Sequence, residues 1–227
     1  MTRHKLKLAL FDLDRTLLPL DSDHAWGEFT TRLGWTDAAA FKRANDAFYA
    51  GYQAGTLDID SYIRFAVEAV RQRGKVQAEA AHARFMREVI EPAIMPQALA
   101  LIDAHRRAGE SLAIVTATNE FVTRPIARRL GVENLIAIEL ERGADGWITG
   151  AIAGTPSFRE GKVERVRQWL NARGLGWGDA KITFYSDSCN DLPLLEKADH
   201  PVAVNPDPAL REIARRRGWN VLDLYHD

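Results

Sequence analysis

Two pairs of acidic residues could do chemistry, because each pair follows a short apolar run. Asp12 and Asp14 come directly after LKLALF, and Asp187 and Asp191 follow KITFY after one intervening serine. Two carboxylates about 4 Å apart repel by about 4 kcal/mol at an effective dielectric constant of about 20. If the two runs are neighbouring strands, the four carboxylates need a cation. Oxygen ligands of this kind favour Mg²⁺.

Both pairs also have ordinary structural interpretations. Asp12 and Asp14 could belong to a surface turn, but apolar residues precede and follow them. Asp187 and Asp191 could be the N-cap and a first-turn acid of a helix. A charged pair between apolar segments requires a partner, so we favour a functional site for the first pair.

A hydroxyl and an amine lie between the two acidic pairs in the chain. Thr116 follows the apolar run SLAIV, and we expect it to end a strand just before a helix, where a hydroxyl suits an anionic oxygen. The alternative role is a helix N-cap, for which Thr118 and Asn119 also compete. Lys162 precedes the helical segment VERVRQWL. Taken alone, Lys162 is predicted to be an ordinary surface lysine. Only its position in this order of motifs makes it a candidate site residue.

Short apolar runs predict the strands that position these residues, since buried parallel strands are continuously apolar. The runs are Leu6–Phe11 and residues 111–115, 181–185, 201–204 and, more weakly, 220–224. Helical segments at 97–108 and 161–173 lie between them, and each ends near a glycine. This alternation predicts an α/β fold with a doubly wound, mainly parallel, Rossmann-like sheet, which binds ligands at the carboxyl ends of its strands.

The segment 21–91 interrupts this alternation. It has aromatic residues at helical spacing, breaks near Gly34, Gly55 and Gly74, and no convincing strand. We therefore predict an inserted all-helical cap of four helices at 21–91, with residues 1–20 and 92–227 forming the α/β core. A hairpin is predicted at 141–150.

Composition excludes several classes of protein. The 227 residues contain 30 basic and 31 acidic side chains, which gives no general attraction to nucleic acid or to membranes. The sequence contains no apolar run of 18 residues, and its amino-terminal apolar run ends at Asp12, unlike a signal peptide. Cys189 is the single cysteine, which excludes an intramolecular disulfide and fits a reducing, cytoplasmic setting. The basic run 215–217 is interpreted as a solvated helix end.

The order Asp-x-Asp-x-Thr, Thr, Lys and Asp-x-x-x-Asp resembles the haloacid dehalogenase superfamily of aspartate-nucleophile phosphohydrolases. The helical insertion after the first motif is similar to that of the phosphoserine-phosphatase-like branch (subfamily IB). The resemblance implies that Asp12 is the nucleophile and Asp14 the general acid and base. It implies phosphoryl contacts from Thr116, Lys162 and Asn190. It also implies Mg²⁺ ligation by Asp12, the Asp14 carbonyl, Asp187 and Asp191.

The same resemblance suggests which residues contact the rest of the substrate. Asp21 occupies the place of a glutamate that reads the substrate amine, while Arg64 lies two residues from the place of an arginine that reads the carboxylate. Asp23 and Trp26 are further candidates for the substrate wall. By this resemblance, the chain keeps the residue that would contact a substrate amine and lacks the one that would contact a substrate carboxylate. This makes an amino-alcohol phosphate, such as histidinol phosphate, an alternative to phosphoserine.

The expected function is therefore that of a Mg²⁺-dependent phosphomonoesterase. It would hydrolyse a small phosphorylated metabolite through an aspartyl-phosphate intermediate, because a carboxylate can attack phosphorus and divide one difficult step into two. A phosphotransferase of the same fold is a second possibility. A non-catalytic phosphate-binding or signalling module is the alternative from another class, and the acid at Asp14 argues against it.

Overall fold

Six parallel strands form the central sheet of the computed structural model, which describes residues 5–225. They are Leu6–Phe11 (β1), Ser111–Asn119 (β2), Asn134–Ile138 (β3), Ala180–Ser186 (β6), His200–Val204 (β7) and Asn220–Leu222 (β8). Their spatial order is β3-β2-β1-β6-β7-β8. Leu140–Arg142 (β4) and Ile148–Ile152 (β5) pair separately as an antiparallel hairpin. The predicted α/β class, parallel sheet and hairpin are confirmed.

The central strand β1 explains the continuous apolar pattern. Four of its six side chains, from Leu8 to Phe11, are fully buried because helices cover both faces of the sheet. Phe11 pairs with Ile114 of β2 and with Tyr185 of β6. The carboxyl ends of these three strands therefore meet at one edge of the sheet. Strand β3 was not predicted, since periodicity does not distinguish a short apolar run such as NLIAI from a helical segment.

Five helices follow the strands: Pro96–Arg107 (α6), Glu120–Arg129 (α7), Glu160–Asn171 (α8), Leu192–Leu195 (α9) and Pro208–Arg217 (α10). The two segments whose bounds were predicted, 97–108 and 161–173, agree with α6 and α8 to within two residues. One boundary differs from the prediction, because β2 continues through an irregular stretch to Asn119. Asn119 caps α7 by accepting a hydrogen bond from the Val122 amide. Thr116 therefore lies within β2 and not at a helix start.

The segment after β1 is helical, as predicted. It contains Ser22–Arg32 (α1), Ala38–Ala54 (α2), Ile59–Arg73 (α3) and Lys75–Phe85 (α4), and then a π-helical turn at Met86–Ile90 and the short Glu91–Ala93 (α5). The turn and α5 were not predicted. Asp21, Asp37 and Asp58 cap the first three helices. The division into a core of residues 1–20 and 92–227 and a cap of residues 21–91 stays a prediction.

An aromatic cluster joins the inserted helices to α7. Trp26 is only 1% exposed. Its ring contacts the rings of Phe29, His82, Phe85 and Phe121 at centroid distances of 5.2–5.9 Å. The prediction that Trp26 forms part of the substrate wall is therefore wrong, because its face of α1 packs inward.

His82 makes the stability of this cluster depend on pH. Its Nε2 hydrogen bonds with the Val122 carbonyl at 3.0 Å, and burial lowers the pKa of its imidazole. The imidazole of a histidine in the unfolded chain has a pKa of about 6.5. Below that pH, His82 binds a proton more readily in the unfolded chain than in the folded protein, so acid lowers the unfolding free energy. Compared with His82→Gln, the wild type should therefore lose more unfolding free energy between pH 7 and pH 5. Urea unfolding of both proteins measures this difference, and parallel pH profiles would contradict the prediction.

The charged carboxyl-terminal end of α10 is paired on the surface. Arg215 and Arg216 bond with Glu212, and Arg217 pairs with Glu196. This agrees with the solvated helix end predicted for 215–217. Within residues 5–225, no helix has the length and apolar character needed to cross a bilayer.

Candidate active site

Two of the predicted acids meet at the carboxyl edge of the sheet. Asp12 directly follows β1, and its backbone amide donates to the Tyr185 carbonyl of β6 at 2.9 Å. Asp187 directly follows β6. The Thr16 hydroxyl lies 3.4 Å from Asp12 Oδ2 and 3.3 Å from Asp187 Oδ1, so one side chain links both carboxylates. No role was predicted for Thr16, although it lies in the Asp-x-Asp-x-Thr motif.

Lys162 supplies the positive charge of the site. It is 2% exposed in the first turn of α8. Its Nζ donates to Asp12 Oδ1 at 2.8 Å and to Asp191 Oδ2 at 2.6 Å. The Ser186 hydroxyl also donates to Asp191 Oδ2, at 2.7 Å. Burial opposes protonation of Lys162, but Asp12 and Asp191 more than compensate and raise its pKa above the ordinary value.

The carboxylates carry more charge than one lysine neutralises. Burial raises the pKa of Asp12 to about 7, with Lys162 opposing this and the charge of Asp191 adding to it. Burial and the charges of Asp12 and Asp191 also raise the pKa of Asp187 well above its ordinary value. This excess of buried negative charge fits a divalent cation with oxygen ligands.

Among residues 5–225, no group of three or more His, Cys, Asp or Glu side chains is arranged to hold a metal ion. A group of that size is unnecessary for Mg²⁺, which usually keeps waters and binds to one or two carboxylates together with substrate phosphate.

Asp14 lies on the side of the site nearest to the inserted helices. Its Oδ1 accepts from the Ser22 amide at 2.7 Å, and its Oδ2 accepts from the Thr118 hydroxyl at 2.8 Å. Burial and the charge of Asp21 raise the pKa of Asp14 to about 7, although these hydrogen bonds lower it. A carboxyl that titrates near neutral pH can both donate and accept a proton during turnover. Thr118, predicted only as a possible cap, is therefore a partner of this acid.

Thr116 and Asn190, for which phosphoryl contacts were predicted, have different hydrogen-bond partners. Thr116 is 1% exposed, and its hydroxyl accepts from the Thr118 amide at 3.1 Å. Asn190 accepts from Arg159 Nε at 3.1 Å. Arg159, which was not predicted, has a positive φ of 52°, an uncommon backbone conformation for a residue other than glycine.

A cavity of about 780 Å³ joins these residues and separates the inserted helices from the sheet edge. Its walls contain every predicted core residue and two of the four predicted substrate residues: Asp12, Asp14, Thr116, Lys162, Asp187, Asn190, Asp191, Asp21 and Asp23. Among residues 5–225, eight aspartates line it, against three lysine or arginine side chains, Arg15, Arg159 and Lys162, and one histidine, His24. The remaining candidates, Trp26 and Arg64, lie outside it. Arg64 is exposed on α3, so the structure does not support its predicted contact with the substrate.

The inserted helices contact the core directly across this cavity. Tyr52 of α2 hydrogen bonds with the Ser188 hydroxyl at 3.0 Å, and Arg15 donates to the Tyr49 hydroxyl at 3.4 Å. The cavity is therefore covered from the helical side, and its size suits a small molecule.

Comparisons with known proteins agree with this geometry. A family model for haloacid dehalogenase-like hydrolases matches residues 9–196. A histidinol-phosphatase of Neisseria meningitidis serogroup C (strain 8013) is 44% identical over 96% of this chain and 98% of its own length. A phosphoserine phosphatase of Mycobacterium tuberculosis (strain ATCC 25618 / H37Rv) is 32% identical over 95% of this chain and 70% of its own length.

Solved structures show the same architecture. A Bordetella pertussis Tohama I protein of unknown function has a TM-score of 0.91 and 51% identity, covering 97% of this chain and all of its own. A substrate-bound phosphoserine phosphatase has a TM-score of 0.66 at 21% identity, covering 96% of this chain and 93% of its own. The second likeness shows the fold alone. From the family match, these relatives and the shared fold, the chain belongs to the haloacid dehalogenase-like hydrolase family.

Proposed function

We propose that this protein is a Mg²⁺-dependent phosphomonoesterase that hydrolyses a small amino-alcohol phosphate, with histidinol phosphate as the leading candidate. The observation that carries the proposal is the buried Asp12 carboxylate, held 2.8 Å from Lys162 Nζ in a cavity that is lined by eight aspartates among residues 5–225. The 44% identity to a histidinol-phosphatase supports the choice of substrate.

Asp12 is the nucleophile in this mechanism. One of its carboxylate oxygens forms a bond to phosphorus while the bond from phosphorus to the ester oxygen breaks. Lys162 Nζ holds Asp12 in place and attracts the phosphoryl oxygens, whose negative charge dominates the transition state. The hydroxyl of Thr116 and the amide of Asn190 line the same region and can donate hydrogen bonds to the phosphoryl group.

Asp14 moves the protons. In its neutral form it donates a proton to the departing alkoxide oxygen, and in its ionised form it accepts a proton from the water that attacks phosphorus. This second step restores the Asp12 carboxylate and releases phosphate. The hydrogen bonds from Ser22 and Thr118 orient the carboxyl group for both transfers.

The residues that would hold Mg²⁺ are Asp12, Asp187, Asp191 and the backbone carbonyl of Asp14. When bound, the ion offsets negative charge on the carboxylates and on the phosphoryl oxygens. Thr16 lies between Asp12 and Asp187, and its single hydroxyl proton can be donated to either carboxylate.

Phosphoserine is the second candidate, supported by the 32% identity to a phosphoserine phosphatase. Its carboxylate must enter a cavity that, among residues 5–225, is lined by eight aspartates and only three lysine or arginine side chains. Arg15 and Arg159 already bond with Tyr49 and Asn190, and Arg64 lies outside. This charge balance favours a substrate that carries an amine without a carboxylate.

Steady-state hydrolysis of histidinol phosphate and O-phosphoserine tests the proposal. We expect kcat/KM for histidinol phosphate to be higher by at least about tenfold, the effect of one hydrogen bond to a charged group. Equal or greater activity on phosphoserine would contradict the substrate choice. Asp12→Asn, purified in parallel, controls for contaminating phosphatases.

Two other functions give different results in the same assays. A phosphotransferase would show turnover that depends on an added acceptor alcohol. A non-catalytic phosphate-binding module would release no p-nitrophenol from p-nitrophenyl phosphate with Mg²⁺ present. The expected cytoplasmic location stays a prediction.

A further inference from the structure

Asp23 is a buried acid that the mechanism does not use. It lies in the first turn of α1, only 6% exposed, and it lines the cavity. Burial is the main cause that raises the pKa of its carboxyl to about 7. A charge removed from water in this way is costly unless a counter-charge reaches it.

The contacts of Asp23 are polar and uncharged. Its Oδ2 accepts from the Tyr62 hydroxyl at 2.7 Å, and its Oδ1 lies 3.4 Å from Asn119 Nδ2. Among residues 5–225, no lysine, arginine or histidine forms an ion pair with it. A carboxylate has about four acceptor positions, so these two contacts leave room for a cationic donor from within the cavity.

Asp21 differs from Asp23 although both line the cavity. Its Oδ1 accepts from the His24 amide at 3.0 Å, which makes Asp21 the N-cap of α1. The observed hydrogen bond of Asp21 is therefore that of a helix cap and not that of a substrate contact. The more deeply buried carboxylate, which faces the cavity without a capping bond, is that of Asp23.

The end of β2 contacts both acids through consecutive residues. Thr118 donates to Asp14 at 2.8 Å, and the adjacent Asn119 lies 3.4 Å from Asp23. The irregular register of β2 between Val115 and Asn119 is a type of distortion that redirects side chains beside functional sites.

Contacts from one strand end to both acids match the chemistry of a 2-amino-alcohol phosphate. In such a molecule, the carbon that bears the amine is bonded to the carbon that bears the ester oxygen. When the ester oxygen receives its proton from Asp14, the ammonium group must lie within a few bond lengths. A recognition acid for that ammonium therefore has to stand beside the general acid.

We propose that Asp23, supported by Tyr62 and Asn119, binds the ammonium group of the substrate and is the residue that selects amino-alcohol phosphates. This inference rests on the proposed phosphomonoesterase function. It assigns amine recognition to Asp23 in place of Asp21.

The test compares 2-aminoethyl phosphate with propyl phosphate, which replaces the ammonium group by a methyl group. The measured quantity is the ratio of their kcat/KM values. We expect the wild type to prefer 2-aminoethyl phosphate, and we expect Asp23→Asn to reduce the ratio by about 10- to 100-fold. A general defect in folding or closure lowers both values and leaves the ratio unchanged, so an unchanged ratio in folded Asp23→Asn overturns the proposal.

Two matched variants sharpen the result. Asp21→Asn removes the neighbouring charge but keeps a good N-cap residue. Asp46→Asn removes another cavity carboxylate, which pairs with Lys42 on α2. We expect both to keep the ratio within about threefold, well below the effect of one charged hydrogen bond. If Asp21→Asn and not Asp23→Asn removes the preference, Asp21 is the anchor and the proposal is wrong.

The remaining outcomes separate this inference from the proposed function. A wild type that hydrolyses no phosphomonoester with Mg²⁺ contradicts the proposed function itself. A wild type that hydrolyses both probes equally retains the phosphatase but overturns amine selection. If Asp23→Asn does not fold, Tyr62→Phe replaces it, since losing this donor weakens the position of the carboxylate. A reduced ratio in that variant supports the proposal, and an unchanged ratio overturns it.

Discussion

Asp12→Asn is expected to lower kcat by at least about 10³-fold, since the change removes the nucleophile of a covalent mechanism. An amide oxygen is a poor nucleophile toward phosphorus, while the shape of the side chain is almost unchanged. The variant should remain folded, because Lys162 keeps its 2.6 Å bond to Asp191. The measurement is steady-state hydrolysis of p-nitrophenyl phosphate together with the unfolding midpoint in urea.

A second measurement identifies the covalent step. Wild type quenched in acid during turnover of ³²P-labelled substrate should retain label on the protein, and Asp12→Asn should not. Turnover of Asp12→Asn within tenfold of wild type would remove Asp12 from the mechanism. Asp46→Asn is a suitable control, because it changes a cavity carboxylate that pairs with Lys42 on the same helix.

Treatment with EDTA is expected to abolish activity, and added Mg²⁺ should restore it. The physical reason is the crowding of Asp12, Asp187 and Asp191 around one lysine. Ca²⁺ should restore activity poorly, since it takes about 6–8 ligands at longer distances and would misplace the nucleophile. Full turnover by a metal-free preparation would defeat this prediction.

Binding of the metal can also be measured without turnover. A ligand that binds only the folded state stabilises it, so Mg²⁺ should raise the unfolding temperature of the wild type. Asp187→Ala should reduce this shift and raise the Mg²⁺ concentration needed for activity, whereas Asp46→Asn should retain the wild-type shift. A shift unchanged in Asp187→Ala would remove Asp187 from the ligand set.

Local patterns in the sequence determined most of the framework. The apolar run Leu6–Phe11 has the bounds of β1, and the helical periodicity of 21–91 matches α1 to α4. These signals are local, because hydrophobic periodicity and capping residues act over a few positions. The positions of Asp12 and Asp187 at the sheet edge also followed, since parallel strands bring their carboxyl ends together.

Long-range packing decided which side chains are partners in the site. Lys162 and Asp12 are 150 residues apart in the chain, and Thr118 and Asp14 are 104 apart. No periodic pattern connects such positions, so only the order of motifs marked Lys162 as a site residue, and the structure alone showed that Asp12 and Asp191 are its partners. The roles of Thr16 and Thr118 likewise became visible only when separate strand ends met.

The identity of the residues that line the cavity on its helical side depended on how the inserted helices are oriented toward the core. The sequence by itself determined that 21–91 is helical and which acids begin α1. Only the tertiary structure decided that Trp26 packs into the aromatic cluster, that Arg64 faces away from the cavity and that Asp23 faces Tyr62 and Asn119. The physical reason is that amphipathic spacing fixes which residues share a helix face, whereas the orientation of that face depends on all the surfaces packed against it.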